Sequence, residues 1–196
     1  MKTQFAVQHV PVRAGNNWLH FWFDGNGKIT RGNGSFAKPA ANAFSLVEVN
    51  DCPHSTPLCR EVCYVHKLAS EHSEVHRCYE QNSGEIRAAL AIKEFRERTV
   101  EVFAKRISEQ CRWGFRWHVS GDIFSEKYAQ FIADVCQGAS NVHFWIYTRS
   151  FPFLGPLLTV KNLVVNLSAD RDNWLEAFTA HKEHGFRLCY MTVDGE

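Results

Sequence analysis

Almost no excess of charge is present: 22 lysines and arginines face 21 aspartates and glutamates, for a formal net charge of +1. That balance gives no bulk electrostatic case for a nucleic-acid or membrane-surface partner. No run approaches the roughly 18 consecutive apolar residues of a spanning helix. Met1–Val12 lacks the apolar stretch of a signal peptide, so the expected setting is soluble and cytoplasmic. The seven cysteines are odd in number, which argues against a complete set of intrachain disulfides. Free thiols or metal ligands suit a reducing compartment. The cysteines also lack the paired Cys-x2–4-Cys halves of the usual zinc modules.

What is present is concentrated in one stretch, Cys52-Pro-His-Ser-Thr-Pro-Leu-Cys59-Arg-Glu-Val-Cys63-Tyr-Val-His66. Pro53 and Pro57 make it a loop, because each fixes φ and restrains the residue before it. Three thiols on one loop suit an iron–sulfur cluster with an incomplete protein shell. Soft thiolates serve zinc as well. His66 would then be a fourth ligand that closes the site, and Cys78 or Cys52 would complete a tetrahedral zinc shell with Cys59, Cys63 and His66. Cys111, Cys136 and Cys189 fall on helix or strand patterns and read as small apolar residues.

The rest of the chain, 196 residues at 45% hydrophobic, is enough for one buried core. Residues 1–43 read as an N-terminal hairpin or cap, with Trp18–Phe23 running through Asp24-Gly25 into Lys28-Ile-Thr30. Aromatic packing under a barrel end is the favoured reading of Trp18, Phe21, Trp22 and Phe23, over an aromatic substrate platform. Residues 44–196 read as an α/β unit. Strands are expected at 44–49, 115–119, 142–147, 162–167 and 186–193. One long helix is expected from Asn82–Glu85 to near Cys111, and others at Ser125–Gln137 and Asp172–His184. Alternation of this kind predicts parallel strands whose carboxyl ends share one face with the cysteine loop. Polar groups stand at each of those ends: Ser120-Gly121-Asp122, Thr148-Arg149, Ser168 with Asp170, and Asp194.

The order of elements resembles the radical S-adenosylmethionine enzymes, which are partial (β/α) TIM barrels. In that superfamily a Cys-x3-Cys-x2-Cys loop follows the first strand, and a Gly-Gly-Glu-like motif ends the second. Here Cys59-x3-Cys63-x2 leads to His66, and Ser120-Gly121-Asp122 stands at the second position. More closely, Cys52-Pro-x4-Leu-Cys59-x3-Cys63-Tyr64, with Trp117–Asp122 and Tyr147–Ser150, resembles the phage gene product 88 family. The resemblance implies a TIM-like partial barrel with an N-terminal β-hairpin extension, in the host cytoplasm. It also implies a [4Fe–4S] cluster on Cys52, Cys59 and Cys63 and a small-molecule cofactor, S-adenosylmethionine, for an unknown substrate.

Asp122 would accept the cofactor's amine, with Ser120 and Gly121 allowing close approach. An ordinary helix-start role for Asp122 is the alternative. Arg149 suits a carboxylate or phosphate through its planar fork. Asn166 and Ser168 share a strand face and would meet a ribose. His118, alone on its strand, reads first as a core residue. The competing function is a zinc-stabilised, non-catalytic binding protein acting on nucleic acid or a host protein.

Overall fold

The computed structural model describes residues 6–25, 41–66, 73–111 and 113–192. Strand β1 (Ala6–Ala14) and strand β2 (Asn17–Gly25) form an antiparallel hairpin. Gly15, at φ +59°, opens its two-residue loop, and only glycine accepts that conformation without strain. The expected hairpin ran forward from Trp18 to Lys28–Thr30. Those last residues lie outside the described ones, and β2 pairs backward with β1 instead.

β2 also pairs with the short β3 (Ala43–Phe44), antiparallel, through Asp24 and Ala43. β3 then pairs parallel with β4 (Phe115–Trp117), followed in order by β5 (Phe144–Thr148), β6 (Leu163–Ala169) and β7 (Arg187–Tyr190). The result is one seven-stranded sheet in sequence order, with five parallel strands and the hairpin as its continuation. The sheet is open, with β1 and β7 at its edges.

The expected strand at 44–49 is paired only at Ala43–Phe44. Past it, Leu46 N–H donates to Ser120 O at 2.9 Å, and Val49 turns the chain at φ +66°. β4 stops at Trp117 because His118 takes φ +61°. β5, β6 and β7 lie within a residue or two of their expected positions, apart from Val193, which is outside the described residues. Asp194 is outside them too.

The single long helix expected before β4 is two helices, α2 (Ser73–Ala91) and α3 (Lys93–Gln110), parted where Ile92 becomes extended. Asn82-Ser83-Gly84 lies inside α2, not at a helix start. The Asn82 amide accepts from Trp22 N–H at 2.7 Å and donates to Trp22 O and Ser45 O, so it pairs the edge of β2 where β3 has ended. Ser83 Oγ accepts from Val47 N–H. Residues that usually interrupt helices are kept here for bonds to neighbouring backbone.

The core lies on one face of the sheet. Phe103 of α3 makes edge-on contacts with Phe21, Phe23, Phe44 and Phe131, at ring distances of 4.9–5.6 Å. Phe131 belongs to α4 (Glu126–Gly138), which Ser125 caps by accepting from Tyr128 N–H. Alternate residues of β4 and β5 (Phe115, Trp117, Phe144, Ile146) are buried here. The opposite face carries Arg116, Tyr147, Asn166 and Ser168, as the period of two requires. Helix α5 (Trp174–His184) ends at Gly185, φ +70°, a left-handed glycine terminus.

Asp24 is buried beside the lead-in to the cysteine loop. Its Oδ2 accepts from Ser45 Oγ at 3.1 Å and from Tyr79 Oη at 3.0 Å, while Oδ1 has no partner. Burial pushes its pKa up to about 6. The folded state therefore holds this proton more tightly than the unfolded chain. The stabilisation is complete below about 3.8 and is lost as pH rises through about 6. We expect the stability of Asp24→Asn relative to wild type to rise by about 2 kcal/mol between pH 4 and pH 7. Urea unfolding of both proteins across that range measures it; a pH-independent difference would refute it.

Candidate functional site

The cysteine loop leaves Phe44 and folds back over the carboxyl ends of the parallel strands. Thr56 caps the short helix α1 (Pro57–Glu61), accepting from Cys59 N–H at 3.0 Å. The same hydroxyl donates to Asp170 Oδ2 at 2.6 Å, and Leu58 N–H donates to Asp172 Oδ2 at 3.0 Å. Two carboxylates after β6 thus moor the loop. Burial alone would raise the Asp170 carboxyl. The bonds from Thr56, from Asp172 N–H and from Arg149 outweigh it and hold the pKa below the usual value.

Beneath the loop is a cavity of about 160 Å³. Its wall includes Cys52 and Cys59 from the loop, Gly121 and Asp122 after β4, Arg149 after β5, and Ser168 of β6. These are sites picked from the sequence, now on one space. Cys63 is half-buried outside that wall, just past the end of α1. Burial, then the Asp122 carboxylate, pushes the Cys52 thiol up to about 12. Burial also raises Cys59, against the pull of the Arg149 guanidinium. Among the described residues, no three His, Cys, Asp or Glu side chains converge closely enough to hold a metal ion as they stand.

Other picks sit elsewhere. His66 is exposed and outside the cavity wall. Cys78 lies on α2, where burial, Asp24 and Glu74 act on it. Ser120 is buried, and its Oγ has no partner. Asn166 shares a face with Ser168, but its amide donates to Ile146 O at 3.1 Å and stays outside the cavity wall. Cys111 and Cys136 are buried, and Cys136 Sγ accepts from Trp117 Nε1.

Asp122 is a wall post. Its Oδ1 accepts from Ile123 N–H and its Oδ2 from Arg149 N–H, at 2.7 and 2.9 Å, with the Thr148 hydroxyl beside them. Burial raises its pKa against those bonds. The helix-start alternative fails, because Ser125 caps α4.

Arg149 donates from Nη2 to Asp170 Oδ2 at 3.0 Å, while its Nε is buried without a partner. His118 also lines the cavity. Its Nε2 meets Tyr128 Oη at 2.8 Å, its Nδ1 is unpartnered, and burial pushes its pKa down to about 3, so the ring is neutral.

The sequence reading passed over Arg116, Tyr64 and Tyr147 on the same wall. The Arg116 guanidinium lies 5.5 Å from the centre of the Tyr147 ring, and it pairs with no carboxylate among the described residues. Tyr64 donates to Val119 O. Strict alternation was the available signal: once Phe115 and Trp117 face the core, Arg116 must face the other way.

Geometry of this kind defines a class: a mixed α/β protein whose open, largely parallel sheet carries a thiol-bordered, cation-lined cavity at its strand ends. The chain belongs to the Gene product 88 family, whose model matches residues 19–196. It is 31% identical over 165 residues to the Gene 88 protein of Mycobacterium phage D29, a match covering 80% of this chain and 65% of that protein. It is 27% identical over 185 residues to the Gene 88 protein of Mycobacterium phage L5, covering 89% and 72%. The matched region thus spans about two thirds of the D29 protein's length. No solved structure matches. No helix among the described residues is long and apolar enough to cross a membrane.

Gly121 sets the closeness of loop and wall. It has φ +82°, and a Cβ there would stand 2.6 Å from Leu46 Cβ and 3.2 Å from Leu46 backbone. Leu46 is held by its bond to Ser120 O and cannot retreat. Gly121→Ala should therefore destabilise the protein by about 2–4 kcal/mol, combining left-handed strain with overpacking. A urea midpoint equal to wild type would contradict this close approach.

Proposed function

We propose that this is an iron–sulfur protein in which Cys52, Cys59 and Cys63 hold a [4Fe–4S] cluster at the mouth of a partial (β/α) barrel, and that it is a radical S-adenosylmethionine enzyme. The observation that carries the reading is the shared cavity. Two of the three thiols border it together with the carboxyl-terminal ends of consecutive parallel strands, and the third lies just past the end of α1, the helix that carries Cys59. The barrel reading is supported by five parallel strands following one another in sequence order.

The donor set fits the group by its chemistry. Three soft thiols suit iron and sulfide, and they leave one iron without a protein ligand. The loop must draw Cys63 inward to complete the shell. When bound, such a cluster supplies the electron for reductive cleavage of S-adenosylmethionine. The chain's own part is positioning. Arg149 offers its unpartnered Nε–H and Ser168 its hydroxyl to a polar ligand. Arg116 adds a cation backed by the Tyr147 ring. Asp122 holds the β4 and β5 ends in register through Arg149 N–H and keeps acceptor sites on the cavity wall for the cofactor's amine.

Anaerobic purification followed by iron, sulfide and zinc analysis tests the reading. We expect a brown protein with iron and sulfide near four per chain, as the named cluster requires. Cys52→Ala, Cys59→Ala and Cys63→Ala should each lose most of the iron, and His66→Ala should keep it. Calorimetry of the loaded protein should then detect S-adenosylmethionine. A colourless protein with stoichiometric zinc, or full iron retention in Cys52→Ala, would overturn the assignment.

A further inference from the structure

The outward face of the β1–β2 hairpin carries a row of rings that the cavity does not use. His9 and Trp18 are exposed, and His20 and Trp22 are half-buried. Successive ring centres along Trp22, His9, His20 and Trp18 are 4.8, 5.1 and 6.4 Å apart. The Arg13 guanidinium closes the row 5.6 Å from the Trp18 ring centre. The register makes this row: Arg13 is opposite Trp18, and His9 opposite Trp22.

The rings are held in place. His9 Nε2 and His20 Nδ1 share a hydrogen bond of 3.0 Å, with their planes within 17°. The Trp18 plane is within 13° of that of His20. Trp22 Nε1 donates to Gln81 Oε1 at 2.9 Å. Fixed rings lose little rotamer freedom when a ligand arrives. Half of the Trp18 side chain nevertheless stays in water. Phe21 and Phe23, on the other face of β2, already supply the hairpin's anchor in the core.

We propose that this row is a stacking platform for single-stranded nucleic acid. Unpaired bases offer flat faces to successive rings, a mode tolerant of sequence. The charge on the hairpin agrees with a phosphate-bearing strand: of its two charged residues, Asp24 is buried and Arg13 is exposed beside the platform. A duplex keeps its base faces stacked internally and cannot use the rings. The inference is independent of the metal reading, since none of these residues borders the cavity.

The test is fluorescence anisotropy of a labelled 12-nucleotide oligothymidylate with the full chain, at low and moderate salt, beside a duplex of equal length. We expect the single strand to bind with quenching of tryptophan emission. Trp18→Ala and His9→Ala should each weaken binding about 5- to 150-fold, the value of one stacked base. Trp174→Ala, an exposed tryptophan on α5, should not weaken it. Circular dichroism and thermal melting confirm that each variant is folded, and Trp18→Phe should keep most of the affinity. Absence of single-strand binding, equal binding of the duplex, or unchanged affinity in both Trp18→Ala and His9→Ala would overturn the proposal and leave the row as a stiffener of the hairpin.

Discussion

Asp170 is the carboxylate on which the site depends. It is fully buried at the end of β6, where one oxygen accepts from both the Thr56 hydroxyl and the Arg149 guanidinium. Thr56 is the cap of the helix that carries Cys59, so the same bond fixes the thiol loop and the strand-end cation. A buried charge is tolerable only when paired and hydrogen-bonded. Removing Asp170 would strand Arg149 and free the loop together. The mooring also explains how a proline-bearing segment, ordinarily mobile on a surface, closes over a cavity.

Much of this was legible in the sequence, and the reason is topological. Parallel strands bring their carboxyl ends to one side, so the sequence pattern alone places Gly121, Asp122, Arg149 and Ser168 together, along with Cys52 and Cys59. Side-chain direction was less legible. Asn166 has the right strand, face and spacing, yet its amide prefers a carbonyl on the neighbouring strand. Asp122 has the right position, yet each of its oxygens already accepts a backbone N–H, from Ile123 and from Arg149. Spacing reports where a Cα falls; competition among local donors decides what the side chain does.

The misreadings of the fold have the same origin. Asn82-Ser83-Gly84 resembles a helix start because these residues favour local backbone bonds. Their bonds go to β2 and to the loop after β3, so the helix runs through them. β1 was invisible because Pro11 and its polar neighbours dilute the alternation, which is tolerable on an edge strand with one pairing side. The aromatic hairpin was read as one packed unit. Alternation divides it: Leu19, Phe21 and Phe23 go inward, while Trp18, His20 and Trp22 remain on the surface.

Backbone strain collects beside the cavity. Val49 and His118 are the non-glycine residues with positive φ among the described ones, at +66° and +61°. One starts the turn into Cys52, and the other leads from β4 to Gly121. Such conformations cost about 1–3 kcal/mol each, and a β-branched valine is among the least tolerant residues. Hydrogen bonds hold both: Val49 O accepts from Cys52 N–H, while His118 N–H donates to Phe44 O and His118 O accepts from Arg116 Nε. Relaxing either residue would swing Cys52 or the Gly121–Asp122 wall away from the space between them. The strain falls on the two segments that must converge, and the bonds holding it come from Cys52 at Val49 and from β3 and Arg116 at His118. The geometry of the cavity is therefore imposed by the scaffold against local preference, as expected of a site kept for a ligand rather than for stability.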